Sequence, residues 1–297
     1  MNSGKLSVPE LCSLFGKTKQ AYYKRSGHAT PPNRQLIKQM VMSHRALLPK
    51  LGGRKLYHLI CDDLQKAGIK MGRDKLFSFL RDEKLLVARQ KKYHKTTDSK
   101  HWMRKYPNRI KEMPIERPEQ VWVADITYLL CNDRHCYLHL VTDAYSKKIV
   151  GFELADNMQG ETTLKALKMA ISGRAYSSPL VHHSDRGLQY CSKDYVQELK
   201  DANIGISMTE QSDPYENAVA ERVNGILKEE FALDVHFEDW EAMSYQVTQS
   251  ISLYNQVRPH FSIGLMTPEQ AHRQQKFKLK KWKKKTHAGK ASMGMKP

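Results

Sequence analysis

Residues 120–130, QVWVADITYLL, and 135–145, HCYLHLVTDAY, decide the fold class. Both are rich in β-branched and aromatic residues, and a short polar turn (NDRH) separates them, the pattern of paired strands. A third run, KKIVGFELAD at 147–156, follows a second polar turn. Beyond it the texture alternates. GETTLKALKMAISG (160–173) reads as a helix, PLVHHSD as a short strand, 192–202 as a helix and 204–208 as a strand, with long helices at 217–231 and 237–255. Three hairpin-linked strands followed by alternating elements predict an α/β core, a mixed five-stranded sheet with flanking helices.

An acid stands in the middle of the first strand. Asp125 shares a pleat face with Val121, Val123 and Thr127. A carboxylate among apolar neighbours is costly unless compensated, and a metal is one compensation; a strand-end Asp capping an amide is the plainer alternative. Asp185, in HHSDRGLQY, follows the strand PLVHHSD, and ligands favour the carboxyl ends of strands in open α/β sheets. Glu221 lies on the helix ENAVAERVNGILKEEF (216–231). There Asn217, Glu221, Asn224/Gly225 and Lys228 recur on one face, with Glu221 and Lys228 about 10 Å apart along the axis. Glu216 is a rival third acid, favoured near a helix start by the dipole alone. Fifty-nine residues separate Asp125 from Asp185, and thirty-five separate Asp185 from Glu221. Acids converging from two strands and a helix can hold two divalent cations about 4 Å apart for in-line phosphoryl transfer. His182 and His183 read as packed or hydrogen-bonded side chains.

Charge is segregated along the 297 residues. Residues 1–112 carry 26 Lys/Arg against 8 Asp/Glu, 113–275 carry 14 against 23, and 276–297 carry 9 Lys and no acid. Basic arms neutralise phosphates, and an acidic centre suits divalent cations. The five cysteines are scattered, MNSGKLSVPELCSLFG lacks a signal-peptide apolar region, and no run approaches the ~18 apolar residues of a membrane span. A soluble, cytoplasmic protein without disulfides is expected. A zinc site from His94, His101, Cys131 and Cys136 is disfavoured, because the cysteines lie at a strand turn far from the histidines.

Five segments follow. Residues 1–30 suggest a helix-turn-helix, with Ser7 and Glu10 as a capping box and the basic helix KTKQAYYKR (Lys17, Lys19, Lys24) second. Residues 31–87 form a second helical module with helices at 33–48, 54–67 and 73–83, whose last helix leaves Arg73, Lys75 and Arg81 for solvent or DNA. Residues 88–119 are a basic linker broken by Pro107, Pro114 and Pro118, with Tyr93, Trp102 and Tyr106 free to stack or dock. The core spans 120–275, and a Lys-rich tail occupies 276–297.

HSDRGLQY, ENAVAERVNGILKEEF and YNQVRPHFSIGLMTPEQA (254–271) together resemble the transposases of bacterial insertion sequences of the IS-three group. That resemblance covers nearly the whole chain. It implies an RNase-H-like integrase core, a catalytic and metal-binding triad of Asp125, Asp185 and Glu221, and two magnesium ions, for which manganese can substitute. Lys228 falls at the position associated with DNA ends, Arg186 and Arg222 flank two of the acids, and Asp143 falls at a recurrent acidic position read as either structural or supporting the catalytic acids from behind. The implied activity is metal-dependent 3′-end cleavage of terminal inverted repeats and strand transfer, without a covalent enzyme intermediate. The implied partners are double-stranded DNA and further copies of the chain. A non-catalytic DNA-binding relic and a ribonuclease H are the competing readings.

Overall fold

The computed structural model describes residues 7–20, 22, 33–88, 102–210 and 217–274. The Lys-rich tail, Lys24, Tyr93, His94, His101 and Glu216 lie outside these residues, as do residues 21 and 23–25 of the second helix expected before residue 30. The first helix, α1 (Val8–Leu14), begins where the sequence places it, with the Glu10 carboxylate accepting from Ser7 N at 2.7 Å.

Three helices form a bundle: α2 (Arg34–Leu47), α3 (Gly53–Lys66) and α4 (Arg73–Asp82). Apolar residues recur at four-residue spacing on their inner faces, Ile37/Val41, Leu56/Ile60/Leu64 and Leu76/Leu80, so each helix buries one stripe. Gly68 permits the tight turn after α3 at φ +68°, a conformation that favours glycine. The bundle does not keep a core to itself. Its buried residues are continuous with Leu129, Leu138, Val223, Ile226 and Leu227 of the following region.

That region is a mixed sheet. Strands β1 (Val121–Cys131), β2 (Arg134–Asp143) and β3 (Ile149–Ala155) form an antiparallel meander. Its first hairpin turns on Asn132 and Asp133 alone, both at positive φ, which Asn and Asp tolerate. Strands β4 (Val181–Ser184) and β5 (Gly205–Met208) add in parallel, giving the order β3-β2-β1-β4-β5. A sixth strand unforeseen from sequence, β6 (His236–Phe237), pairs with Leu130 and Cys131.

Helices cover both faces. The even-numbered side chains of β1, Trp122 and Ala124, pack with α5 (Gly160–Ser172), α6 (Leu188–Cys191) and α7 (Lys193–Asp201). Gly151 of β3 sits so close to α5 that a Cβ there would stand 2.1 Å from Ala166 O. The opposite face packs on α8 (Ala218–Glu230) and α9 (Trp240–Gln256). A 3₁₀ turn (Phe261–Ile263) and α10 (Pro268–His272) complete the described chain. The proline-broken linker runs beside the outer strand: Pro107 O accepts from Met208 N at 3.4 Å, and Arg109 N donates to Ser207 Oγ at 2.9 Å. Tyr106 packs against the protein's own core, whereas Trp102 is exposed.

Candidate active site

Strand register brings two of the predicted acids together. Val123 pairs with His183 in the parallel β1–β4 ladder, and β4 ends at Ser184. Two residues past that pair stand Asp125 and Asp185, on the pleat face that looks toward α8. Asp125 Oδ1 accepts from Ile126 N at 3.0 Å. Asp185 Oδ1 accepts from Gly187 N at 2.9 Å, a local turn that leads into α6. A Cβ at Gly187 would meet that same oxygen at 3.1 Å, so the glycine after Arg186 keeps the turn tight.

Helix α8 supplies the third side. Its N-cap Asn217 donates Nδ2 to Ala124 O at 3.1 Å, filling the stretch of β1 edge left open between β4 and β6. One turn on, Glu221 stands exposed in the first turn, and Asn224 donates Nδ2 to Asp125 Oδ2 at 2.7 Å. Sequence reasoning put both asparagines on the face of Glu221 but gave them no task. Their signal was an amide among alanines and valines on a helix packed against an acid-bearing strand.

The electrostatics record the crowding. Burial and the Asp185 charge push the Asp125 carboxyl up to about 7, against the pull of the Ile126 and Asn224 hydrogen bonds, and Glu221 adds a smaller push. Asp125 keeps part of its surface open, so solvent moderates the repulsion without removing it. Burial also raises Glu221. Among the described residues no three His, Cys, Asp or Glu side chains close around one point. The acids form a coupled pair, with Glu221 facing it from the exposed turn of α8. The donor set nonetheless suits a hard divalent cation. It consists of carboxylate oxygens, and the buried Oδ1 atoms of Asn217 and Asn224 meet no hydrogen-bond donor among the described residues.

The remaining candidates are dispersed. Arg186, next to Asp185, and Lys228, two turns along α8 from Glu221, are half-buried. Arg222 is exposed, its guanidinium 4.0 Å from Glu230 at the other end of α8. Arg73 pairs with its neighbour Asp74 at 2.9 Å, and Lys75, Lys17 and Lys19 are exposed. His182 and His183 are structural. His182 Nε2 lies 2.9 Å from Tyr195 Oη, and His183 Nδ1 lies 2.9 Å from Ser207 Oγ. Asp143 is fully buried and accepts from Glu119 N and Ser146 N at 2.7 Å each.

The chain as a whole is similar to known proteins. Two models of the integrase core domain match residues 115–214 and 202–268. An insertion element IS600 protein of Shigella sonnei is 30% identical over 264 residues, covering 87% of this chain and 96% of that protein. The transposase InsF of insertion sequence IS3A from Escherichia coli is 30% identical over 213 residues, 71% of this chain and 74% of its own length. Among solved structures, the HTLV-2 integrase catalytic core in complex with magnesium aligns with a TM-score of 0.43 at 21% identity, covering 52% of this chain and 97% of that one.

Proposed function

Because the chain belongs to the IS3 group of insertion-sequence transposases, we propose that Asp125, Asp185 and Glu221 are its catalytic, metal-holding triad. It is a DDE-type polynucleotidyl transferase of DNA transposition and integration. The substrate on this reading is the pair of terminal inverted repeats of its own element, cut at their 3′ ends and joined to a target. The observation that supports it is the juxtaposition of Asp125, midway along β1, with Asp185, just past the end of β4, under a helix that presents Glu221 and ties Asp125 through Asn224.

Two magnesium ions, or manganese in their place, would polarise the scissile phosphate and activate the attacking hydroxyl. The chain's own residues supply the rest. Asp125 and Asp185 present oxygens from fixed backbone positions, and Asn224 holds one Asp125 oxygen in place. The turn at Gly187 lets backbone approach a phosphate, and Arg186, Arg222 and Lys228 neutralise the strand. Lys17, Lys19, Lys24, Arg73 and Lys75, with the Lys-rich tail, hold the flanking duplex. Pairing two ends requires at least two copies of the chain. No helix of the described residues is long and apolar enough to cross a membrane, and the bacterial cytoplasm, at the nucleoid, is where the DNA substrate lies.

The test is cleavage of a terminal-repeat oligonucleotide. Asp125→Asn, Asp185→Asn and Glu221→Gln retain end binding within about threefold and lose magnesium-dependent nicking altogether. Nicking by all three variants at the wild-type rate would refute the assignment.

A further inference from the structure

The helix that presents Glu221 carries a second acid at its opposite end. Glu230 closes α8, nine residues or ~13 Å along the axis from Glu221. A carboxylate in a last helical turn faces the negative pole of the helix dipole, so something must offset it. Two cations from distant parts of the chain do. Lys55, in the first turn of α3, donates Nζ to Glu230 Oε1 at 3.0 Å. Arg258, just past α9, donates Nε to Oε2 at 2.9 Å and Nη2 to Oε1 at 2.7 Å. Lys55 is 8% exposed and Arg258 1%. Backbone joins in: Lys50 N donates to Glu230 O at 3.0 Å.

Both ionic partners register the bridge. Burial, seconded by the Arg258 charge, lowers the Lys55 ammonium to about 8 against the pull of Glu230. Burial works to raise Glu230, but Arg258 and Lys55 outweigh it and hold the carboxyl below its usual range. Removing one member of such a group strands the others as buried charge, a strongly unfavourable outcome.

We propose that Glu230 is a positioning residue for the active site. Bridged to Lys55 and Arg258, it fixes α8 along its axis, so that docking of the α2–α4 bundle sets where Glu221 and Asn224 stand against Asp125. The lever is short and stiff. Seven helical residues, 224–230, join Glu230 to a hydrogen bond of 2.7 Å between Asn224 and Asp125. A shift of about 1 Å in a reacting group costs on the order of a hundredfold in rate. The inference rests on the triad assignment, since it concerns the helix that presents Glu221.

Full-length Lys55→Met, Lys55→Arg and Glu230→Gln, with Asp125→Asn as control, test it by two readouts. The first is backbone hydrogen exchange without metal or DNA. Lys55→Met and Glu230→Gln accelerate exchange at least tenfold through residues 218–224, at the far end of α8, while Lys55→Arg matches wild type. The second is the magnesium concentration giving half-maximal nicking. It rises at least threefold in the same two variants and not in Lys55→Arg, whereas mere loss of folded protein would lower the rate at an unchanged midpoint. Glu230→Gln keeps the side-chain shape, so it carries the test if Lys55→Met does not fold. Acceleration confined to 226–230, or absent, overturns the proposal whatever the nicking assay gives. Nicking by Asp125→Asn at the wild-type rate refutes the triad instead, and leaves the exchange result to judge the bridge.

Discussion

Asp125 concentrates the energetics of the site. Its carboxyl is pushed up to about 7 by burial and by Asp185, whereas the unfolded value is about 3.9. The folded protein therefore binds more protons than the unfolded chain between about pH 4 and 7, and its stability falls as pH rises through that window. A divalent cation requires the ionised form and reverses the trend. In chelator, thermal midpoints should decline from pH 5 to pH 7.5 in the wild type and flatten in Asp125→Asn. Magnesium should raise the wild-type midpoint more at pH 7.5 than at pH 5. Asn224→Ala should reduce nicking 10- to 100-fold, the range for residues that orient metal ligands, with end binding unchanged. Of these residues Asp125 stood out in the sequence, because a carboxylate inside VWVADITY contradicts its surroundings. Asn224 did not, because an amide on a helix is chemically neutral until a partner strand is placed beside it.

At the scale of the element, periodicity carried most of the information. The helices of the bundle and the strands β1 to β5 fall within a residue or two of their expected bounds, since each buries a stripe or face that repeats in the sequence. What escaped were elements too short to repeat. β6 has two residues and owes its existence to the free edge at Leu130–Cys131. α6 has four, set by the turn at Asp185. α10 did leave a signal, Thr267-Pro268 with Gln270 as a capping box, inside a stretch legible first as a family signature. The approach of α5 to β3 was also hidden, since a glycine within a strand does not announce which backbone packs against it. It is a fitted contact: Gly151→Ala would drive a methyl into Ala166 O and Ala170. That substitution should cost about 1–3 kcal/mol in urea unfolding, the usual range for overpacking.

Across the whole molecule, the C-terminal segment is clasped to the start of the sheet by a buried polar network. His272 of α10 lies 3.4 Å from Glu119 and 3.8 Å from Asp143, two carboxylates flanking β1 and ending β2. Arg174 also reaches Glu119, and Tyr176 Oη donates to His272 O at 2.8 Å. Burial works to lower the His272 ring, but the pull of the nearby Asp143 and Glu119 carboxylates prevails and raises it. A raised histidine contributes its full stabilisation below its unfolded value of about 6.5, and that contribution disappears as pH climbs through the folded value. The stability gap between wild type and His272→Gln should therefore be widest near pH 6 and narrow toward pH 9 in chemical denaturation. Of the two readings the sequence left open for Asp143, structural or supporting the catalytic acids, this clasp gives the structural one its physical content.

The segment from Pro107 to Arg109 bears on how copies of the chain assemble. A bare outer strand invites a neighbouring molecule to continue the ladder, a common route to unwanted association. On β5 that invitation is withdrawn, since the chain's own proline-bearing approach already lies there and accepts from Met208 N. On the proposed reading, copies of the chain that pair two DNA ends would meet through helical surfaces or the β3 flank, not by splicing sheets across β5. Freeing residues 102–109 would bare the β5 edge and favour self-association through it before DNA was ever encountered.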